Sequence, residues 1–247
     1  MNPSAIVKPC HEKIVQQGNI YCCFDENAVD DFTANMLCAD YWQQQNAISG
    51  TAQGRGTTYF IQHLHHDWVL RHYYRGGLVG KLIHDSYLFT GFENTRAAKE
   101  FALLKTLSAL GLPAPKPIAY RIKRSGLIYQ ADILTARITQ AQDLVALMSK
   151  HSLSTELWQK IGRCIKAFHQ QGIYHHDLNA HNILIDSNEK VWLIDFDRGE
   201  QRNPDQAWQQ ANLDRLLRSF NKEQKRLPTF HWQADNWQII IESYLVA

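Results

Sequence analysis

Through the first half of the chain, apolar residues fall mainly in short runs of strand type. "TTYFIQHL" and "DWVLRHYY" are two such runs joined at "HHD", and they predict a hairpin whose turn holds His63, His65 and His66. Ahead of them "GTAQGRG" (Gly50–Gly56) interrupts the pattern, and ahead of that Asp30–Trp42 reads as a helix. Phe32, Met36, Leu37 and Tyr41 recur there roughly in helical register. "ENTRAAKEFALLKTLSALG" is a stronger helix, with Asn94 or Thr95 able to cap it and Gly111 to end it. "LPAPKPIAYRI" and "GLIYQADILTARI" add two extended segments, with prolines at their edges.

After Ile138 the period changes. "QDLVALMSK" is a short helix, and "STELWQKIGRCIKAFHQQG" a long amphipathic one with Leu157, Ile161, Ile165 and Phe168 on one face and Gly172 as a stop. "NILID" and "VWLID" flank the turn-type "SNEK", which predicts a second, smaller hairpin. Two more helices are expected around Asp205–Lys225 and Asp235–Leu245, with Trp208, Trp232 and Trp237 as core or interface residues. The sum is an α+β protein of two lobes sharing a cleft. A β-rich part runs to about residue 133, and a connector near Leu134–Ile138 leads into an α-rich part ending at 247.

Composition narrows this only a little. The 247 residues suit one domain, or two small lobes. A formal net charge of +2 gives no global preference for polyanions, so nucleic acid is not an expected partner, and no protein partner is evident. Five cysteines without a CxxC pair read as reduced thiols in a cytosolic protein. The N-terminus lacks the charged and apolar regions of a secretion signal. No apolar run approaches the ~18 residues of a spanning helix, so any membrane association is expected to be peripheral.

The small hairpin carries the chemistry. The start of its first strand must lie beside the end of its second, so Asn182 and Asp195 become neighbours, and Asp177 sits just upstream on the loop after the long helix. Three hard-oxygen groups at one end of a hairpin suit Mg²⁺, which takes few protein ligands and fills its shell with water and phosphates. A carboxylate left free of metal could orient a hydroxyl and accept its proton. Asp and Asn also bound strands and form turns for purely structural reasons. Zinc is a further rival, because His175, His176, Asp177 and His181 crowd together, though nothing else in the chain completes a tetrahedral N/S set.

"HHDLNAHN" resembles the protein-kinase catalytic loop H-x-D-L-x-x-x-N, and "DFD" resembles the metal-binding D-F-G. The resemblance implies a protein-kinase-like two-lobed fold using ATP and Mg²⁺, with Asp177 as catalytic base and Asn182 and Asp195 as metal ligands. Upstream, Gly50, Gly54 and Gly56 stand where backbone amides meet phosphate, although their spacing departs from G-x-G-x-x-G. Arg71 occupies the place of the nucleotide-contacting lysine, with Lys81 in reserve, and Glu100 is placed to pair with that cation. Backbone groups of Leu134 to Arg137 could hold adenine. His176 stands in place of the H-R-D arginine, and no A-P-E follows Asp195, so a small-molecule or glycolipid kinase is favoured over a regulated protein kinase.

"GRGTTYFI", "VLRHYYRGGLVGKL", "GLPAPKPIAY", "HHDLNAHNILID" and "LIDFDRGE" together resemble the lipopolysaccharide kinase family over about Gly50 to Phe220. The likeness is closest to the branch that phosphorylates a 3-deoxy-manno-octulosonic acid (Kdo) residue. It implies a Kdo-lipid A precursor as acceptor, by family pattern at its 4-hydroxyl, on the cytoplasmic side of the bacterial inner membrane. Arg71, Arg75, Lys81, Arg198 and Arg202 are expected near the cleft, where they could meet the acceptor's carboxylate and phosphates. The helix "NLDRLLRSFNKEQKRL" turns Leu213, Leu216, Leu217 and Phe220 to the core and carries Arg215, Arg218, Lys222 and Lys225 on another face. That face could adhere to an anionic inner-membrane surface or simply be solvated. The alternatives are a kinase of the same fold acting on heptose or an antibiotic, and a nucleotide-binding pseudokinase, for which Arg71 is the main argument.

Overall fold

The strand-type runs of the first half pair as one antiparallel sheet. The structure, a computed structural model, describes residues 10–54, 56–75 and 85–246. Its strands are β1 (Glu12–Gln17), β2 (Ile20–Asp25), β3 (Ile48–Gln53), β4 (Thr57–His63), β5 (His66–His72), β6 (Tyr87–Leu88), β7 (Pro117–Ser125) and β8 (Ile128–Ala136). They are ordered β1-β2-β7-β8-β5-β4-β3, with β6 pairing β8. The β4–β5 hairpin turns on Leu64 and His65, with His63 opposite His66 and Leu64 at φ 54°. Strand β3 passes through Gly50, so the interruption in the pattern does not begin there. Gly56 has no room for a side chain, because a Cβ there would lie 1.9 Å from the Tyr74 ring.

Two differences from the expected elements have physical causes. The β1–β2 hairpin has no counterpart in the pattern because every residue of β1 is exposed, which removes the alternation that marks a half-buried strand. The helix expected over Asp30–Trp42 is instead a 3₁₀ turn (Ala34–Leu37) and a short α1 (Ala39–Gln44). Asp31 at φ 49° and an extended Cys38 break the helical path. The apolar residues of that segment are used all the same. Leu37 and Trp42 are fully buried against Trp68, Leu70, Ile118 and Leu134 on one face of the sheet.

The other face is covered by α2 (Arg96–Ala109), which packs on β7 and β8. Successive side chains on a strand point to opposite faces. Leu70 therefore joins the Trp42 cluster while Arg71 turns toward α2. Thr95 precedes this helix with its hydroxyl donating to Phe92 O at 2.7 Å. Across the strands, His72, Asp132 and Arg121 are directly opposed in one row.

The chain divides into two compact units. The sheet and its coverings form the first, and Leu110–Ala114 with Ile138–Ala247 the second. The second unit contains α3 (Leu144–Met148), α4 (Thr155–Gln170), α5 (Gln206–Arg226) and α6 (Ala234–Val246). Strands β9 (Ala141–Asp143), β11 (Ile183–Asp186) and β12 (Val191–Leu193) form one small sheet, and β10 (Ile173–Tyr174) pairs with β13 (Glu200–Gln201). Ser154 caps α4, its Oγ accepting from Leu157 N–H, and the predicted apolar face of that helix is buried. Gly162 lets α4 and α6 meet closely, since a Cβ would stand 2.4 Å from Ile240 O. Trp158, Phe220 and Trp232 pack together in the core, the last two stacked at 4.1 Å. Trp208 and Trp237 are half-buried. Among the described residues no helix is long and apolar enough to cross a membrane.

Candidate active site

The loop between β10 and β11 is fixed by a histidine. His175 is buried, and its Nε2–H donates to Ile194 O at 2.9 Å while its Nδ1 accepts the Asp177 N–H at 3.2 Å. A carbonyl can only accept, so this pair of partners selects the neutral Nε2–H tautomer. Burial, the largest influence, holds the His175 pKa below the ordinary histidine value, in keeping with that form. The same residue's backbone N–H donates to Asn212 Oδ1 on α5 at 3.2 Å. One imidazole thus ties the loop carrying Asp177 to the strand end carrying Asp195. With both ring nitrogens engaged by backbone, His175 is not a metal ligand. Among the described residues no group of three or more His, Cys, Asp or Glu is assembled for a metal, which removes the basis of the zinc reading.

Asn182 completes the arrangement. Its Nδ2 donates to Asp177 O at 2.9 Å, and its own carbonyl accepts from Ile194 N–H at 3.0 Å across the small hairpin. Asn179 caps the 3₁₀ turn Ala180–Asn182, with Oδ1 accepting from His181 N–H and Asn182 N–H. Ser219 Oγ on α5 accepts from Ala180 N–H at 3.0 Å. Asp195 lies at φ 61°, a strained position for a residue with a side chain. The adjoining Phe196 is fully buried against Phe168 and the His175 ring.

The three residues singled out by the hairpin argument line a single pocket of about 400 Å³, together with Asn179, His181, Arg215, Arg218, Ser219, Lys222 and Glu223. Arg215 Nη1 stands 3.4 Å from Asp177 Oδ1. Pattern analysis grouped the basic residues of α5 correctly but did not aim them. Arg215, Arg218 and Lys222 border the pocket, and only Lys225 of the four lies elsewhere, exposed. A usable signal was present: Asn212, Arg215, Ser219 and Lys222 recur at helical spacing, a polar stripe that faces protein. Arg198 and Arg202 are not among the lining residues. Arg198 is exposed, and Arg202 pairs with Glu200 and stacks 3.7 Å over the Tyr174 ring.

In the sheet unit, Arg71 and Glu100 meet. Arg71 Nη2 donates to both Glu100 oxygens at 2.5 and 2.6 Å, and Tyr73 OH donates to Oε2 at 2.6 Å. Arg71 and Tyr73 are two residues apart on one extended segment, so both reach the same face and the same carboxylate. Glu100 is 3% exposed, which requires such partners. Arg75 stacks at 5.0 Å over Tyr87. Of the glycines, Gly54 and Gly56 form the β3–β4 turn, with Gly54 N–H donating to Gly56 O, while Gly50 lies within β3 opposite Phe60. Lys81 lies outside the described residues. The amides of Ala136 and Arg137 already donate to Lys116 O and Asp67 O, so the segment expected to hold adenine has these donors engaged within its own unit.

The fold is thus mixed α+β, with Asp177, Asn182 and Asp195 gathered at one pocket of its helical unit. Residues 39–244 match the family model described as "Lipopolysaccharide kinase (Kdo/WaaP) family". The chain is 48% identical over 221 residues to a protein of Photobacterium profundum, covering 90% of this chain and 93% of that one. It is 47% identical over 229 residues to one of Vibrio vulnificus, covering 93% and 96%. With one of Haemophilus influenzae the figures are 45% over 239 residues, 93% and 98%. All three relatives are named 3-deoxy-D-manno-octulosonic acid kinase. The chain belongs to the lipopolysaccharide kinase (Kdo/WaaP) family.

Proposed function

We propose that the protein phosphorylates a Kdo residue, at its 4-hydroxyl, on a Kdo-lipid A precursor in lipopolysaccharide core biosynthesis, with ATP as phosphoryl donor. The observation that carries this reading is near-half identity, along almost the whole chain, to proteins named as kinases of this sugar acid. The two units are read as the lobes of a protein-kinase-like fold. The acceptor is lipid-linked, so the protein acts peripherally at the anionic cytoplasmic surface of the bacterial inner membrane.

The geometry supports a role for each residue. Asp177 is half-exposed in the pocket while its backbone is fixed by His175 and Asn182. It orients the acceptor hydroxyl and takes its proton as the new O–P bond forms and the bond to ADP breaks. Asn182 has its Nδ2 engaged, which leaves Oδ1 as a hard oxygen in the pocket that Asp195 also lines. That donor set fits Mg²⁺, which needs few protein ligands. When bound, the ion neutralises charge on the transferring phosphates. Arg71, oriented by Glu100 and Tyr73, supplies a fixed guanidinium for phosphate oxygens. Gly54 and Gly56, with Gly50 on the strand leading to them, supply the phosphate-facing backbone.

Transfer of label from γ-labelled ATP and Mg²⁺ to Kdo-lipid A precursor tests the reading. Label in the glycolipid, lost with Asp177→Ala, is the expected result. Labelling of heptose acceptors or amino-sugars instead, or ATP binding without transfer to any acceptor, overturns it.

A further inference from the structure

Three cations on one side of α5, Arg215, Arg218 and Lys222, border the pocket that holds Asp177. They recur at i, i+3 and i+7, and the same helix anchors the loop through Asn212 to His175 and Ser219 to Ala180. Their distance from Asp177 is therefore set by the framework of the site. Asp177 and Glu223 do not account for them. Arg215 makes one 3.4 Å contact with Asp177, and Glu223 is already held by Arg226 and His181. Among the described residues, Arg218 and Lys222 have no hydrogen-bond or ion-pair partner.

Clustered cations beside a carboxylate repel one another, and an anion brought into the pocket relieves that repulsion. We infer that Arg218 and Lys222, with Arg215 beside them, form an anion subsite that binds the carboxylate of the acceptor sugar itself. This rests on the acceptor class proposed above, a sugar acid, and specifies how it is recognised. A pocket of about 400 Å³ is small for a ligand site. It accommodates one sugar residue beside Asp177, and the anion nearest an accepting hydroxyl is the carboxylate on the same ring. Holding that carboxylate turns the ring so that a chosen hydroxyl faces Asp177, which makes the cations positioning residues.

The test compares two forms of one glycolipid, detergent-dispersed Kdo-lipid A precursor and its Kdo carboxyl methyl ester. Binding is measured by calorimetry to the wild type and to an Arg218→Gln/Lys222→Gln double variant. Both substitutions lie on exposed helix positions, and matching thermal melts establish that the variant is folded. The wild type should bind the acid about tenfold or more tightly than the ester, the worth of a charge-assisted pair. The double variant should bind the acid at about the ester's level and lose nothing further with the ester, while its KM for ATP is unchanged. Equal wild-type affinity for acid and ester overturns the inference, as does a variant that keeps the preference for the acid. A raised KM for ATP with acceptor binding intact also overturns it, by giving the cations to the nucleotide. Carboxylate-dependent binding without phosphoryl transfer supports the subsite and overturns the kinase reading alone.

Discussion

Each unit contains an arginine–carboxylate pair, and the two are built differently. In the sheet unit, Arg71 reaches both oxygens of a Glu100 side chain that is 3% exposed, and Tyr73 donates a third hydrogen bond. In the helical unit, Arg215 touches one oxygen of Asp177 at 3.4 Å, with both side chains nearly half-exposed. Attraction between charges grows as water is excluded, but so does the cost of leaving one of them unpaired. The buried pair therefore behaves as a fixed part of the framework, whereas the exposed pair is weak and leaves both charges available to a substrate.

The largest effect expected from this contrast is on chemistry. Asp177→Ala should lower kcat by about 10²- to 10⁴-fold, the usual worth of a positioned base. Its melting temperature should stay near that of the wild type, because the loop is held by His175 and Asn182 rather than by the Asp177 side chain. Turnover and thermal melts on the same preparation check both halves. A variant that unfolds would make Asp177 structural and erase the distinction.

Next in size is Glu100→Gln. It keeps the shape of the side chain but removes the carboxylate that Arg71 pairs with in a largely enclosed site, at a cost of about 3 kcal/mol in denaturant unfolding. Nucleotide affinity should fall as well, since the guanidinium loses its fixed orientation. If Glu100→Gln unfolds like the wild type, the buried pair is not part of the framework.

How much of this could be read from the sequence divides along similar lines. The hairpin bringing Asn182 beside Asp195 was legible because strand register is local. So was the Arg71–Glu100 pairing, because the order of the motifs names both partners. The β1–β2 hairpin was not legible, since Glu12–Gln17 buries nothing and shows no alternation. The break at Cys38 in the predicted Asp30–Trp42 helix arises from backbone geometry that an apolar count does not register. The aim of α5 was hidden for another reason. Periodicity shows which residues share a stripe, but the contacts of Asn212 with His175 and of Ser219 with Ala180 span 37 and 39 residues.

Two histidines extend the comparison and give it a pH signature. In the sheet unit, burial works to lower the His72 pKa, but hydrogen bonds and charge from Asp132 and Asp85 outweigh it and raise the value overall. A raised value in the folded state favours the protonated form. Its stabilisation is complete below the ordinary value of about 6.5 and is lost as pH rises through the raised one. In the helical unit, burial lowers His169 to about 4, where its Nδ1 meets Tyr244 OH at 2.9 Å. The unfolded chain takes up that proton near 6.5 and the folded chain only near 4. Stability is therefore lost as pH falls through that window, by about 2 kcal/mol at about pH 5. Hydrogen exchange resolved by segment should show α4 and α6 losing protection between about pH 7 and 5, once the intrinsic rate is removed, while β5 and β8 gain it. Parallel losses in both units would end the contrast.

The smallest expected effect is the most discriminating. Arg215→Ala removes a single long contact between two half-exposed groups, so unfolding should shift by less than about 1 kcal/mol. In about 1 M salt even that should vanish, because exposed charges are screened within ~3 Å. The Glu100→Gln cost should persist in the same salt, since ions do not enter an enclosed pair. Should Arg215→Ala instead cost as much as Glu100→Gln and resist salt, Arg215 would be holding the loop. Asp177 would then owe its position to the helix as well as to His175, and the two pairs would differ in exposure without differing in kind.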